Sequence, residues 1–107
     1  MFKCYLIRDG HRDVGTIEEC EIIKETSKTF IIKDLRGFIV ITRTVRKETM
    51  ALPNAEIRLT YPEALIRAKE LVLSRIAIIG KRIKALQEES ELYIKKLKDL
   101  ESEETGN

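Results

Sequence analysis

The second half of the chain carries a helical pattern that continues further than a small sheet could cover. Residues 60–63, TYPE, place a threonine three residues before a glutamate, which is the sequence pattern of a helix N-cap. Pro62 is tolerated there because N–H groups in a first helical turn have no intrahelical acceptor. No strong stop follows before Thr105-Gly106. The sequence therefore predicts one helix over residues 61–103, about 60 Å long.

This helix has two parts with different apolar patterns. The broad apolar face of residues 61–75 predicts packing against a sheet. Residues 76–101 instead carry apolar side chains three and four residues apart in turn, which predicts a coiled-coil seam. The a positions of this seam are Ile76, Ile83, Ser90 and Leu97, and the d positions are Ile79, Leu86, Tyr93 and Leu100. A seam without a partner in its own chain predicts a homo-oligomer.

A glycine in the middle of the helix leaves an alternative open. Gly80 could end a first helix, and the two halves would then fold back as a hairpin. A glycine costs only about 1 kcal/mol in a helix interior. Because strong helix formers flank Gly80, we expect the helix to be continuous.

The charges of the helix are segregated along its length. Residues 61–85 contain six basic and two acidic residues, a net charge of +4, whereas residues 86–107 contain three basic and seven acidic residues, a net charge of −4. Opposite ends of two copies would attract each other, which favours antiparallel self-association. The alternative is an ordinary solvated helix surface.

The first half of the chain is typical of a small antiparallel sheet. Alternating or β-branched segments predict strands at residues 2–8, 16–26, 29–33 and 38–45, with a short fifth strand at 56–59. Residues 34–37, DLRG, predict a hairpin loop with Gly37 in the left-handed region. The predicted fold is α+β: residues 1–60 form an antiparallel meander of four or five strands, as an open sheet or a small barrel. The long amphipathic helix follows, and residues 104–107 form a flexible tail.

Composition narrows the class of protein. A net charge of +2 with 36% charged residues predicts dense charge of both signs on solvated faces. No segment has the roughly 18 apolar residues needed to span a bilayer, and the N-terminus meets charge too early for a signal peptide. We therefore expect a cytoplasmic protein without membrane contact. Cys4 and Cys20 lie in apolar segments, which predicts buried free thiols.

No catalytic constellation is present in the sequence. The single histidine, His11, lies in a predicted turn, and Glu18 and Glu19 are adjacent on a strand and point to opposite faces. Two cysteines and one histidine are a poor set of zinc ligands, and there is no glycine-rich phosphate loop. We expect no enzyme activity, no metal and no cofactor.

Basic residues near the predicted junction of sheet and helix suggest a ligand site. Arginine provides forked donors for phosphate, asparagine can contact a base edge, and an aromatic ring can stack on one. The candidate ligand-binding residues are Arg36, Arg43, Arg46, Lys47, Asn54, Arg58 and Tyr61. The alternative is a scatter of surface arginines.

The layout of three segments resembles that of small proteins of phages and mobile elements. These segments are EIIKETSKTFII, TRTVRKET and LTYPEALIRAKEL. Among such proteins the chain is similar to the Thoeris anti-defence proteins of the first type. The resemblance implies a viral protein that acts in the host cytoplasm and assembles into oligomers. It also implies sequestration, without cleavage, of a nucleotide-derived immune signal such as a cyclic nucleotide.

Three functions are therefore open. The first is a non-enzymatic phage-type binding protein, which sequesters a nucleotide-derived signal or blocks a host defence protein. The second is a coiled-coil adaptor that docks other proteins on its sheet. The third is a small nucleic-acid-binding β-barrel module, which a net charge of only +2 and 6% aromatic residues disfavour.

Overall fold

The computed structural model describes residues 2–36 and 39–105. They form two compact units, Met1–Leu73 and Ser74–Asn107. The first unit contains every described strand and the beginning of the helix, and the second unit is helical. Within the described ranges, no helix is both long and apolar enough to cross a membrane.

The described strands build one antiparallel sheet that is curled into a half-barrel, with the order β4-β3-β2-β1-β6-β5. Neighbouring strands pair antiparallel throughout. The curl brings the first and last strands of this order together, so that β4 also contacts β5. The strands are β1 Phe2–Arg8, β2 Ile17–Glu25, β3 Thr29–Arg36, β4 Ile39–Arg46, β5 Ala51–Leu52 and β6 Ala55–Arg58.

One face of the sheet forms the interior of the half-barrel. Alternate residues of the strands point to this face because side chains alternate across a strand. Full burial of one aliphatic side chain contributes about 1.5–3 kcal/mol, so this interior is the main stabilising element of the first unit. Its buried residues are Cys4, Leu6, Cys20, Ile22, Phe30, Ile32, Val45, Ala55 and Ile57.

The opposite face of β1 forms a second, smaller core with the beginning of the helix. Ile7, which follows Leu6 in sequence, is completely buried and clusters with Ala64, Ala68 and Leu71. The two alanines are small enough to be buried against this strand. As predicted, the first part of the helix packs on the sheet.

Gly15 also marks a close approach between the sheet and the helix. Its φ angle is +83°, and a Cβ added there would lie 2.5 Å from Cγ2 of Val72. Glycine is required at this position for both reasons, since L-residues rarely adopt positive φ.

The helix α1 spans Tyr61–Thr105 as a single element. Its predicted start is confirmed, and Thr60 Oγ1 accepts a hydrogen bond from the Glu63 backbone N–H at 3.4 Å. The helix continues through Gly80, so the hairpin alternative is wrong. It also extends two residues beyond its predicted end, into the segment expected to be a tail.

The α+β class and the antiparallel sheet are confirmed, but several strand limits differ from prediction. The described sheet has six strands because residues 51–52 form a two-residue strand too short to give a pattern. β3 continues to Arg36, so the predicted loop at 34–37 is wrong for its first three residues. Strand β2 shifts register between Ile22 and Lys24. The predicted left-handed Gly37 and the predicted strand start at Phe38 lie outside the described residues.

Candidate functional site: a polar cleft and an apolar helix seam

Four charged residues continue the interior face of the half-barrel beyond its apolar core. Each lies two positions from a buried apolar residue on the same strand, so its side chain points to the same face. The pairs of charged and core residues are Arg8 with Leu6, Glu18 with Cys20, Asp34 with Ile32, and Arg43 with Val45. We call Arg8, Glu18, Asp34 and Arg43 the polar layer.

Two carboxylates hold the two arginines of the polar layer. Arg8 donates two hydrogen bonds to Glu18, from Nε to Oε1 at 2.7 Å and from Nη2 to Oε2 at 2.8 Å. Asp34 is completely buried, and its Oδ1 and Oδ2 lie 3.6 Å from Arg8 Nη2 and 3.7 Å from Arg43 Nε. The hydrogen bonding to Glu18 is the main cause that raises the pKa of Arg8 above its usual range. Two hydrogen bonds therefore hold the Arg8 guanidinium in place, and the Arg43 guanidinium lies beside the buried Asp34 carboxylate.

A cleft of about 900 Å³ opens beside this layer. Arg8 and Arg43 form part of its wall, together with the β1–β2 loop at residues 10–13 and the β5–β6 turn at residues 52–54. Pro53 and Asn54 occupy the centre of that turn, where Asn54 has a φ angle of 58°. Proline followed by asparagine at positive φ fits the two central positions of a type II turn. It places the Asn54 side chain at the rim.

The structure divides the predicted ligand residues among several places. Arg43 and Asn54 line the cleft. Arg46 and Lys47 lie instead beside the β2–β3 turn, in a separate depression of about 530 Å³. There the Lys47 ammonium lies 3.5 Å from Glu25 and 4.9 Å from the centre of the Phe30 ring.

The remaining predicted residues lie near the start of α1 or cannot be placed. Arg58 Nη2 lies 3.1 Å from Glu56 Oε1, so its charge is used within the fold. Tyr61 packs edge-on against Tyr5, with ring centres 5.6 Å apart. The side chain of Arg36 lies outside the described part of the chain.

Sequence reasoning missed three basic residues of the cleft. Arg8 was assigned only to a strand, although its parity with Leu6 indicates that it faces the interior. The sequence predicts His11 only as a turn residue and gives no pattern that singles out Arg12, but both are exposed in the loop that lines the cleft. Nothing in the sequence indicates that this loop meets β4 and the β5–β6 turn, because the curl of the sheet brings them together.

The two cysteines lie opposite each other across β1 and β2. Both are buried free thiols, as predicted. Burial raises the pKa of Cys4 to about 12 and that of Cys20 to about 11. A thiol that holds its proton so firmly is a poor nucleophile. Among the described residues, no three His, Cys, Asp or Glu side chains form a group that could hold a metal ion.

The predicted seam lies on the exposed surface of α1. The seam is defined by Ile76, Ile79, Ile83, Leu86, Ser90, Tyr93, Leu97 and Leu100. Its apolar members are all exposed, from 45% for Ile79 to 69% for Tyr93. Ile94, at an e position beside the seam, is also exposed, whereas the exposed Ile78 and Leu92 lie at c positions on another face of the helix. Large exposed apolar patches are typical of interaction surfaces in general.

Comparisons with known proteins do not add to this description. No family model, no curated protein and no solved structure matches the chain. The function is therefore inferred from the geometry of the cleft and the seam.

Proposed function

We propose that the chain is a non-enzymatic binding protein that works as a homo-oligomer joined through the seam of α1. The observation that carries this proposal is the heptad pattern of exposed apolar residues on a continuous helix, in which Ser90 is the one polar position. A helix in a folded protein gains most of its stability from packing of its apolar face against a partner. A second copy of the same chain offers a matching face.

The exposed area is large enough to support such an association. Burying the exposed half of an aliphatic side chain contributes about 1 kcal/mol. Seven apolar seam residues in each of two copies then contribute about 14 kcal/mol in total. The loss of translational and rotational freedom on association costs about 4–15 kcal/mol. The apolar gain is therefore comparable with the cost of association.

The pattern of the seam supports an antiparallel pair. If two copies align antiparallel about Glu88, each a position faces a d position. The facing pairs are Ile76 with Leu100, Ile79 with Leu97, Ile83 with Tyr93, and Leu86 with Ser90. The same alignment puts the basic half of each helix beside the acidic half of the other, which lowers the electrostatic energy.

The ligand of the oligomer is a further part of the proposal. The resemblance to anti-defence proteins predicts a nucleotide-derived signal or a host defence protein. The cleft supports the first of these, because it offers arginine and asparagine side chains to a small polar molecule. The adaptor and nucleic-acid alternatives stay predictions: the adaptor would assemble through the same seam, and no specific feature of the described sheet favours a docked protein or a nucleic acid.

Analytical ultracentrifugation tests the assembly with a closely matched pair of variants. Ile78 and Ile79 are neighbours of the same residue type and are each 45% exposed, but only Ile79 belongs to the seam. We expect Ile79→Asp, and more strongly the double change at Ile79 and Ile83, to give monomers, because the seam would bury an unpaired charge. Ile78→Asp should associate nearly as the wild type does. Equal behaviour of the two single variants would contradict the seam assignment.

Distances between spin labels test the orientation. A label on Gln87→Cys lies near the centre of the antiparallel pair, so its distance to the second label should be short. Labels on Ser74→Cys should be about 42 Å apart along the axis, because 28 residues separate them at about 1.5 Å per residue. A parallel pair would give short distances at both positions.

A further inference from the structure

The cleft of the first unit brings together basic groups from three separate segments of the chain. Arg8 comes from the end of β1, His11 and Arg12 come from the following loop, and Arg43 comes from β4. The only acidic residue in the described lining is Asp13, and its Oδ1 accepts a hydrogen bond from the Gly10 backbone N–H at 2.9 Å. The cleft therefore presents mainly hydrogen-bond donors.

Several of these donors are available to a ligand. Arg43 approaches Asp34 through Nε, and its two terminal nitrogens donate no hydrogen bond to a described residue. Arg12 and His11 are exposed and likewise have no ion pair with the described chain. Arg8 uses Nε and Nη2 for Glu18, which leaves Nη1.

The buried carboxylate of Asp34 preorganises this cleft, because it restrains arginine side chains before a ligand binds. It lies within 4 Å of both Arg8 and Arg43, and it does not line the cleft itself. Glu18 and Asp34 neutralise much of the charge of Arg8 and Arg43. The binding of an anion therefore depends more on the direction of the guanidinium N–H donors than on the net charge of the cleft. An anion that replaces water here meets the Arg8 guanidinium held by Glu18 and the Arg43 guanidinium restrained by Asp34, which lowers the entropic cost of binding.

The chemistry of the lining selects a ligand class. Guanidinium forks match the paired oxygens of phosphate, and several donors from different directions suit its tetrahedral shape. Leu52 and Pro53 provide an apolar part of the wall. The described lining contains no aromatic ring, so it offers no stacking partner for a base.

We propose that this cleft binds the phosphate group of a small organic phosphate through Arg12 and Arg43, with Asp34 as a positioning residue. The inference names the ligand chemistry of the proposed binding protein, but it does not depend on the seam, because all the residues involved lie between residues 8 and 54. A monomeric Ile79→Asp variant should therefore bind phosphate as the wild type does.

Titration followed by amide NMR shifts tests the site, with inorganic phosphate and pyrophosphate as probes and sodium chloride holding the ionic strength constant. We expect saturable shifts in the β1–β2 loop, in β4 near Arg43 and in the β5–β6 turn. Loss of one charge-assisted hydrogen bond costs roughly tenfold in affinity. Arg12→Gln and Arg43→Gln should each weaken pyrophosphate binding by about tenfold.

The control removes the same charge from the same strand. Arg46 is exposed on β4 and does not line the cleft, so Arg46→Gln should bind pyrophosphate as the wild type does. Arg12→Gln is the decisive variant, because Arg12 makes no contact on which the fold depends. Equal affinities of Arg12→Gln, Arg46→Gln and the wild type would overturn the site, as would shifts that sodium chloride reproduces.

A single-stranded oligonucleotide separates a small phosphate from a nucleic-acid backbone. We expect pyrophosphate to bind at concentrations at which the oligonucleotide does not shift the cleft resonances. Tighter binding of the oligonucleotide, with shifts that spread to Arg46 and Lys47, would overturn the small-ligand assignment in favour of nucleic acid.

Discussion

Substitution of Asp34 by asparagine removes the one charge that Arg43 contacts among the described residues while keeping the size of the side chain. Asp34 is completely buried, and the Arg43 side chain is 19% exposed. Removing one partner of a buried pair costs about 3–5 kcal/mol. Two features reduce this cost: Arg8 still has its ion pair with Glu18, and water partly screens the charge of Arg43. We therefore expect Asp34→Asn to lower the free energy of unfolding of the first unit by about 2 kcal/mol.

This loss should lower the melting temperature of the first unit by about 8–16 °C, since a unit of this size shifts by about 4–8 °C per kcal/mol. Urea unfolding followed by tyrosine fluorescence measures the loss in the free energy of unfolding. Tyr5 and Tyr61 lie in the first unit and pack on each other. A Tyr93→Phe background removes the tyrosine of the second unit, so that the signal reports the first unit alone.

A double-mutant cycle identifies the cause. If an uncompensated Arg43 charge is responsible, Asp34→Asn should cost much less in an Arg43→Gln background. Asp13→Asn is the matched control: it removes an exposed carboxylate near the same cleft, and we expect a change below about 0.5 kcal/mol. A similar loss in both backgrounds, or a loss for Asp34→Asn no larger than that of the control, would refute the assigned role of the polar layer.

Three further predictions concern the buried thiols and the helix interior. Cys4 and Cys20 should resist iodoacetamide at neutral pH in the folded protein and react in urea, and fast labelling of the native state would contradict their burial. Because the folded thiols keep their protons up to a pKa of about 12 and about 11, above the ordinary value of 9.0, their contribution to stability is complete below about pH 9. It is lost as the pH rises from there towards 12, which urea unfolding at several pH values can measure. Gly80→Ala should stabilise α1 by about 1 kcal/mol, because alanine favours a helix and an added Cβ meets no atom within 4 Å. A circular dichroism melt measures this change. Destabilisation would indicate that another chain approaches Gly80.

Local patterns were sufficient to predict most of the fold. The capping pattern at Thr60 fixed the start of α1, and strong helix formers on both sides of Gly80 outweighed the cost of one glycine. The strands were recognisable from alternation, but their ends were less certain. Asp34 was assigned to a hairpin loop because aspartate favours turns in isolation. In the folded chain, the guanidinium groups of Arg8 and Arg43 stabilise its charge inside a strand.

The cleft was harder to predict for a geometric reason. The candidate ligand residues were selected because they lie near the junction of sheet and helix in sequence. On the curled sheet, Arg43 and Arg46 line two different depressions although they are three residues apart. Arg8 and Arg43 are far apart in sequence but lie on either side of one carboxylate. Such a pairing depends on strand order and curvature, which a single sequence does not specify.

The position of β1 also has a consequence for folding. Leu6 and Ile7 are adjacent and completely buried, one in each of the two cores of the first unit. If β1 detaches, both cores lose their shared wall at once. The half-barrel and the first turns of α1 should therefore unfold together, and their slowest-exchanging amides should report one common opening free energy.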